Sequence, residues 1–493
     1  MAGEVRIEAA CGRIVGQRRD RVVRFLGIPY GLAPLGPRRF AAPLPRAPFD
    51  RPLEAFSYGP VAPQRPLLPP PLARLIGANH RADEDCLSLN VWTPDVSGAR
   101  PVLVFIHGGG FILGAGEQYP GDDLSRRGDV VVVTMNYRLG LIGFNPFAEI
   151  FPGDERFVAN AGLLDQRLAL KWVRDNIAAF GGDPGNVTIA GESAGSVSVA
   201  WHLVTKGSQP LYHRAIMQSG VLNLFYARER AVEVGEALVS GMGLRIDRER
   251  LFALTPKQLD EASRRAVTSH TGVISRPHVD GREMADLMPA AFAAAAKPVP
   301  LLIGTNRDEF SFFASLPLMP IAADKPAMME MVARLAGLEA AERIGRLYAD
   351  DRKGRIAFGT DLLFRMPTLA FADGHAAAGN PVYCYRLDWE TKGLMSRLGA
   401  THSVDLPLLF EDFLKPFRSA YLGVLPDARR HALAERMREH WLAFVRGASP
   451  KADWPAYRGS ERLTKVFGES DRVLSDPEAV RRITWQGVDG YAI

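Results

Sequence analysis

Residues 186–199 read NVTIAGESAGSVSV, and no other stretch limits the fold of this chain so narrowly. Val187, Thr188, Ile189 and Ala190 form a short apolar, β-branched run suited to a buried strand. Gly191-Glu192-Ser193-Ala194-Gly195 follows without a spacer. A strand that turns at once into a helix crowds its own backbone, and residues lacking a side chain relieve that crowding on either side of Ser193. The Gly-x-Ser-x-Gly pattern therefore predicts a nucleophile elbow, with the Ser193 hydroxyl exposed on a strained turn.

The flanking sequence predicts an α/β protein. Residues 102–106 are apolar throughout, as a strand buried on both faces is; 87–92 and 130–135 are further strands. Over 160–180, Leu163, Leu164, Leu168, Trp172, Val173 and Ile177 recur at helical spacing, and Gly181-Gly182 stops the run. Strand, crossover helix and elbow strand make a βαβ unit, the element of a parallel sheet. Short strands at 5–10, 12–15 and 22–27 predict an antiparallel opening. Over 33–71, prolines at 34, 37, 43, 45, 48 and 52 forbid regular helix or a central strand. That stretch reads as a surface wrap packed through Phe40, Leu44, Phe49 and Phe56. Further strands are predicted at 215–218, 300–303 and 382–387. Helical stretches fill 226–298, including the Ala-rich patch 290–296, and 325–377 with a loop near Gly359; a closing helix spans 428–446. The expectation is one catalytic domain over 1–493, a large, mostly parallel twisted sheet flanked by helices, with helical excursions at about 226–298 and 310–380 over the active site.

Composition narrows the function. The net charge is +5, but the basic residues are scattered and lack the runs and aromatic interleaving of a nucleic-acid surface, so no nucleic-acid partner is expected. Cys11, Cys86 and Cys384 are too few for a disulfide framework and fit no zinc spacing; a reducing, cytoplasmic setting is expected. The first residues show no basic-then-apolar leader, and the apolar runs are too short to span a bilayer at ~20 residues. No oligomeric state is fixed by these features.

A serine hydroxyl is inert near neutral pH without a base, and the base needs a carboxylate to fix its tautomer. Downstream of an elbow in a parallel sheet the acid precedes the histidine, and working groups sit at the carboxyl ends of strands. Glu309 lies just past the strand at 300–303; its neighbour Asp308 remains a rival. His402, in the loop 399–403, is the candidate base. His375 is the alternative, but its Ala-rich helical surroundings suggest a solvated side chain. His107-Gly108-Gly109-Gly110-Phe111 follows a buried strand, where amides can approach an oxyanion closely. The proposed donors are the amides of Gly109, Gly110 and Ala194.

Several long motifs share this order: FLGIPYG at 25–31, EDCLSLNVW at 84–92, HGGGF at 107–111, NYRLG at 136–140, the run 163–196, QSG at 218–220 and GTNRDE at 304–309. With the His402 loop, they make the chain resemble a type-B carboxylesterase, the family of bacterial p-nitrobenzyl-type esterases, liver carboxylesterases and cholinesterases. The resemblance covers nearly the whole chain. It implies the α/β-hydrolase fold, a Ser193–His402–Glu309 triad, no metal or cofactor, and a small-molecule ester as substrate. It also selects Glu309 over Asp308. Two departures stand out. Family members pair the cysteine of the EDC motif with one in the preceding Pro-rich stretch, and here 61–64 holds none, which leaves the 62–86 loop unstapled and points to a bacterial cytoplasmic setting. Asp405 stands where the family more often has glutamate. By the same resemblance Glu192 and Ser219 sit beside the nucleophile and the acid, either as participants or as satisfied buried groups. Phe310, Phe312 and Phe313 are either acyl-pocket or core residues.

The expected activity is carboxylic ester hydrolysis through an acyl-enzyme. The alternatives are an amidase or carbamate hydrolase with the same triad, and a non-catalytic cholinesterase-like binding module. Because the imidazole must be neutral to act as a base, activity is expected to fall on acidification through about pH 6–7.

Overall fold

A computed structural model of the chain describes residues 3–65, 81–221, 225–242, 248–267, 275–284, 296–315, 324–413, 415–425 and 427–488. The chain forms two compact units, residues 1–213 with 225–285, and 214–224 with 286–493.

In the first unit the apolar runs become strands Gly3–Ala9 (β1), Gly12–Arg19 (β2), Val22–Pro29 (β3), Phe49–Glu54 (β4), Ser88–Thr93 (β5), Arg100–Ile106 (β6), Val131–Met135 (β7) and Gly182–Glu192 (β8). Their order is β1-β2-β3-β5-β7-β6-β8, with β4 beside β2. Pairing is antiparallel from β1 through β7 and parallel for β7-β6-β8. β5 and β7 are buried along their whole length, as is the apolar part of β6. The helix Ala161–Asn176 returns the chain from β7 to β8 and buries Leu163, Leu168, Trp172 and Val173. Gly181 ends the following turn at φ +78°, where a Cβ would stand 2.3 Å from the Asp95 carbonyl oxygen.

The Pro-rich wrap holds more regular structure than its composition predicts, because β4 contains Pro52. Proline is tolerated there since β4 pairs only with β2, across a break in register between Gly12 and Ile14. Phe40 is buried against the rings of Phe147, Phe157 and Phe252. Leu44, expected to pack, is 50% exposed.

The second unit carries Arg214–Gln218 (β9), Leu301–Asn306 (β10), Val382–Leu387 (β11), Leu463–Phe467 (β12) and Arg472–Ser475 (β13). β9-β10-β11-β12 are parallel and β13 is antiparallel to β12. The helix Ala428–Gly447 begins at Asp427, whose carboxylate accepts from the amides of Arg429 and Arg430. The loop expected near Gly359 is absent. Arg352–Thr360 is helical and runs through a π turn, Asp361–Arg365, into the helix Met366–Ala377. Gly359 is a packing glycine: a Cβ there would lie 2.3 Å from the Phe310 ring. Helices Arg228–Gly241, Arg248–Ala253 and Pro256–Val267 occupy the first predicted excursion; within it, 243–247, 268–274 and 285–295, which include most of the Ala-rich patch, lie outside the described residues. No helix of the described residues is long and apolar enough to cross a membrane.

Candidate active site

The elbow forms where β8 meets the helix Ala194–Val204. Ser193 takes φ 57° and ψ −125°, a conformation that costs a non-glycine residue about 1–3 kcal/mol. Its carbonyl is engaged by the Val197 amide at 3.0 Å, so the turn is locked into the helix that follows. The flanking glycines are needed for close approach. A Cβ on Gly195 would lie 2.0 Å from the Ile106 carbonyl oxygen, and one on Gly191 would lie 2.4 Å from the backbone of Gly195.

The loop after β6 lies against this turn. A Cβ on Gly108 would meet the Glu192 carbonyl oxygen at 2.6 Å and Ser193 Cβ at 3.1 Å. Gly109, Gly110 and Phe111 all have positive φ (106°, 63° and 63°), which curls the loop tightly. Among the described residues, the amides of Gly109, Gly110 and Ala194 have no acceptor within the protein. The loop is held from behind. The Tyr137 hydroxyl donates to the His107 carbonyl at 2.8 Å, and the two rings stack with centroids 4.3 Å apart. Burial pulls the His107 pKa down to about 4, so that imidazole is neutral and structural. Glu192 is buried next to the nucleophile.

The acid and base come together within the second unit. Glu309 is fully buried. Its Oε2 lies 2.7 Å from His402 Nδ1, while Oε1 accepts from the Ser219 hydroxyl at 2.5 Å and from the Asn306 amide at 2.6 Å. A carboxylate in that position makes Nδ1 the protonated nitrogen and leaves Nε2 as the basic one. Asp308 serves differently: its Oδ2 accepts from Arg307 at 2.8 Å and from the Ala400 amide at 3.0 Å, and its own amide donates to the Ala400 carbonyl. It clasps the loop that carries His402.

Asp405 is buried and accepts from Gln218 at 2.6 Å, and from Asn306 and Tyr385 at 3.4 Å. Burial, helped by the nearby Glu309 charge, lifts its pKa above the ordinary carboxyl value. The rings of Phe313 and Phe364 each lie 5.0 Å from the His402 ring and stack on one another. Phe310 is buried and packs on Gly359. His375 is not solvated as expected: it is fully buried, with Nε2 2.8 Å from the Val299 carbonyl, because its helix packs this face against the segment leading into β10. Sequence reasoning passed over Asn306 and Phe364. The first lies inside the GTNRDE motif and was visible there; the second is presented by the π turn, for which the sequence carries no signal. No group of His, Cys, Asp and Glu among the described residues is arranged to hold a metal ion.

The chain is similar to known proteins over nearly its whole length. The model of the carboxylesterase family matches residues 3–471. The chain is 34% identical over 485 residues to the para-nitrobenzyl esterase of Bacillus subtilis (strain 168), covering 96% of each chain. It is 31% identical over 500 residues to the phenmedipham hydrolase of Pseudarthrobacter oxydans, covering 95% of this chain and 97% of that one. A solved structure of a thermophilic PNB esterase superposes with a TM-score of 0.87 at 34% identity, over 97% of this chain and 99% of that chain. With its α/β-hydrolase fold, the chain belongs to the carboxylesterase family and is a serine hydrolase of carboxylic esters.

Proposed function

We propose that Ser193, His402 and Glu309 form the catalytic triad and that the amides of Gly109, Gly110 and Ala194 form the oxyanion hole. Ser193 Oγ attacks the ester carbonyl as His402 Nε2 takes its proton. The same nitrogen returns that proton to the leaving alcohol, and water activated by His402 clears the acyl-enzyme. Glu309 keeps the imidazole in the required tautomer and stabilises its charged form. The three amides stabilise the developing oxyanion, each to the extent of about 3–4 kcal/mol.

The observation that carries this reading is the 2.7 Å contact between His402 Nδ1 and a Glu309 carboxylate whose other oxygen is already taken. The reading draws its nucleophile from one unit and its acid and base from the other, so it also requires both to serve one catalytic domain. A fluorophosphonate tests it. Stoichiometric labelling that maps to Ser193, disappears in Ser193→Ala, and accompanies a fall in kcat/KM of about 10⁴-fold or more is expected. Labelling that persists in Ser193→Ala sinks it.

The substrate is a small-molecule ester, and a matched ester and amide pair is expected to show faster turnover of the ester. The setting we propose is the bacterial cytoplasm. Cys11, Cys86 and Cys384 are all free, and bacterial relatives match nearly end to end.

A further inference from the structure

Outside the triad, the second unit holds a partly open cavity with room of about 20 Å³ for water-sized occupants, lined by Arg365, Thr368, Arg386, Arg462, Asp476 and Glu478 among others. A single water needs roughly 10–15 Å³ measured this way, so one small occupant fits. Three arginines face two carboxylates around it. Both carboxylates are already engaged: Asp476 by Arg482 at 2.7 Å, and Glu478 by two arginines of the lining itself, Arg386 at 2.5 Å and Arg365 at 3.4 Å. Among the described residues, Arg365 Nε, Arg462 Nε and Thr368 Oγ are buried without a hydrogen-bond partner. Arg365 is 5% exposed and Thr368 3%. Two of these three atoms are donors only, and the third, a hydroxyl, can turn its proton the same way.

Arg462 sits at φ 48°, an unfavourable region for an arginine, while its Nη2 is tied to Asp373 at 3.2 Å and its Nε is left over. Buried donors in native proteins are matched by acceptors. A water supplies two lone pairs but brings two protons that need acceptors of their own. A monovalent anion accepts from every side, and guanidinium groups, being weakly hydrated, give up solvent for it readily.

We propose that this cavity is a binding site for one small monovalent inorganic anion of chloride or bromide size, held by Arg365, Arg462 and Thr368. It is independent of the catalytic assignment. The site touches the acid-bearing segment through Arg365, whose Nη2 donates to the Asn306 carbonyl at 2.7 Å.

Thermal unfolding is measured while sodium gluconate is replaced by sodium chloride or bromide at constant ionic strength. A saturable rise in Tm of about 2–4 °C is expected for the wild-type chain, and loss of most of it in both Thr368→Val and Arg462→Gln. Crystals soaked in bromide are expected to show an anomalous peak within hydrogen-bonding distance of Arg365 Nε, which keeps the test decisive if a variant fails to fold. A Tm indifferent to the anion, a halide response that survives in both variants, or an ordered water with no anomalous signal in the cavity overturns the proposal.

Discussion

Glu309 illustrates how one residue's neighbours set its job. Its two oxygens have separate partners, Oε1 the Ser219 hydroxyl and the Asn306 amide, Oε2 the imidazole of the proposed base His402. Removing the Ser219 hydroxyl takes away a hydrogen bond to a charged group, worth about 1.5–3 kcal/mol. Ser219→Ala is therefore expected to lower kcat/KM about 10-fold or more with unchanged labelling of Ser193, and Ser219→Thr to recover part of the loss; steady-state kinetics on an aryl ester checks both. A second residue effect concerns stability. Arg138 and Asp165 are buried and joined by two side-chain hydrogen bonds, at 2.8 and 2.7 Å, with the Arg138 amide adding a third. Asp165→Ala leaves the guanidinium charged and unpaired in the interior, and a loss of about 3–5 kcal/mol in denaturant unfolding is expected. At this scale much was legible: Glu309 and His402 could be picked from chain order and strand ends. Position favoured Glu309 with its neighbour Asp308 as a rival, and resemblance selected Glu309; that Asp308 clasps the His402 loop shows only in the structure.

Elements were legible where a run is apolar enough to be buried on both faces, as in β6 and β7, and illegible where charge interrupts it. β12 reads LTKVF, and its Lys465 is 3% exposed yet sits mid-strand, neutralised by Asp453 at 2.7 Å. No apolar period survives there, so β12 and the short, exposed β13 have no sequence signature. The π turn at Asp361–Arg365, just ahead of Pro367, is equally hidden, because no residue pattern marks it off from the helices on either side. The elbow is the opposite case, since its glycines are dictated by backbone contact. Gly195→Ala places a methyl 2.0 Å from the Ile106 carbonyl oxygen, and neither group is at the end of a flexible side chain. The strand and helix must part. The expected outcome is a variant with a lowered Tm and with Ser193 no longer labelled at the wild-type rate.

For the molecule as a whole, one contribution to the pH dependence of stability comes from a carboxyl outside the triad. Asp361 is buried, accepts from Tyr348 at 2.6 Å, and has its pKa raised to about 6, mainly by desolvation. The folded chain thus holds this proton more tightly than the unfolded chain, where the carboxyl titrates near 4. The stabilisation is fully present below that value and is lost as pH rises through about 6, a change of about 2–3 kcal/mol between pH 4 and pH 8. Asp361→Asn cannot titrate, so its stability relative to wild type is expected to improve between about pH 4 and 6 and to level off above; an unchanged difference between the two chains at pH 4 and pH 8 excludes the assignment. The neutral imidazole behind the glycine loop has a use of its own. His107 and the buried His202 are held uncharged down to about pH 4 and 3. In a nuclear magnetic resonance titration between pH 5 and 8 their ring signals stay put, giving two built-in rulers against which the drift of a working histidine can be read.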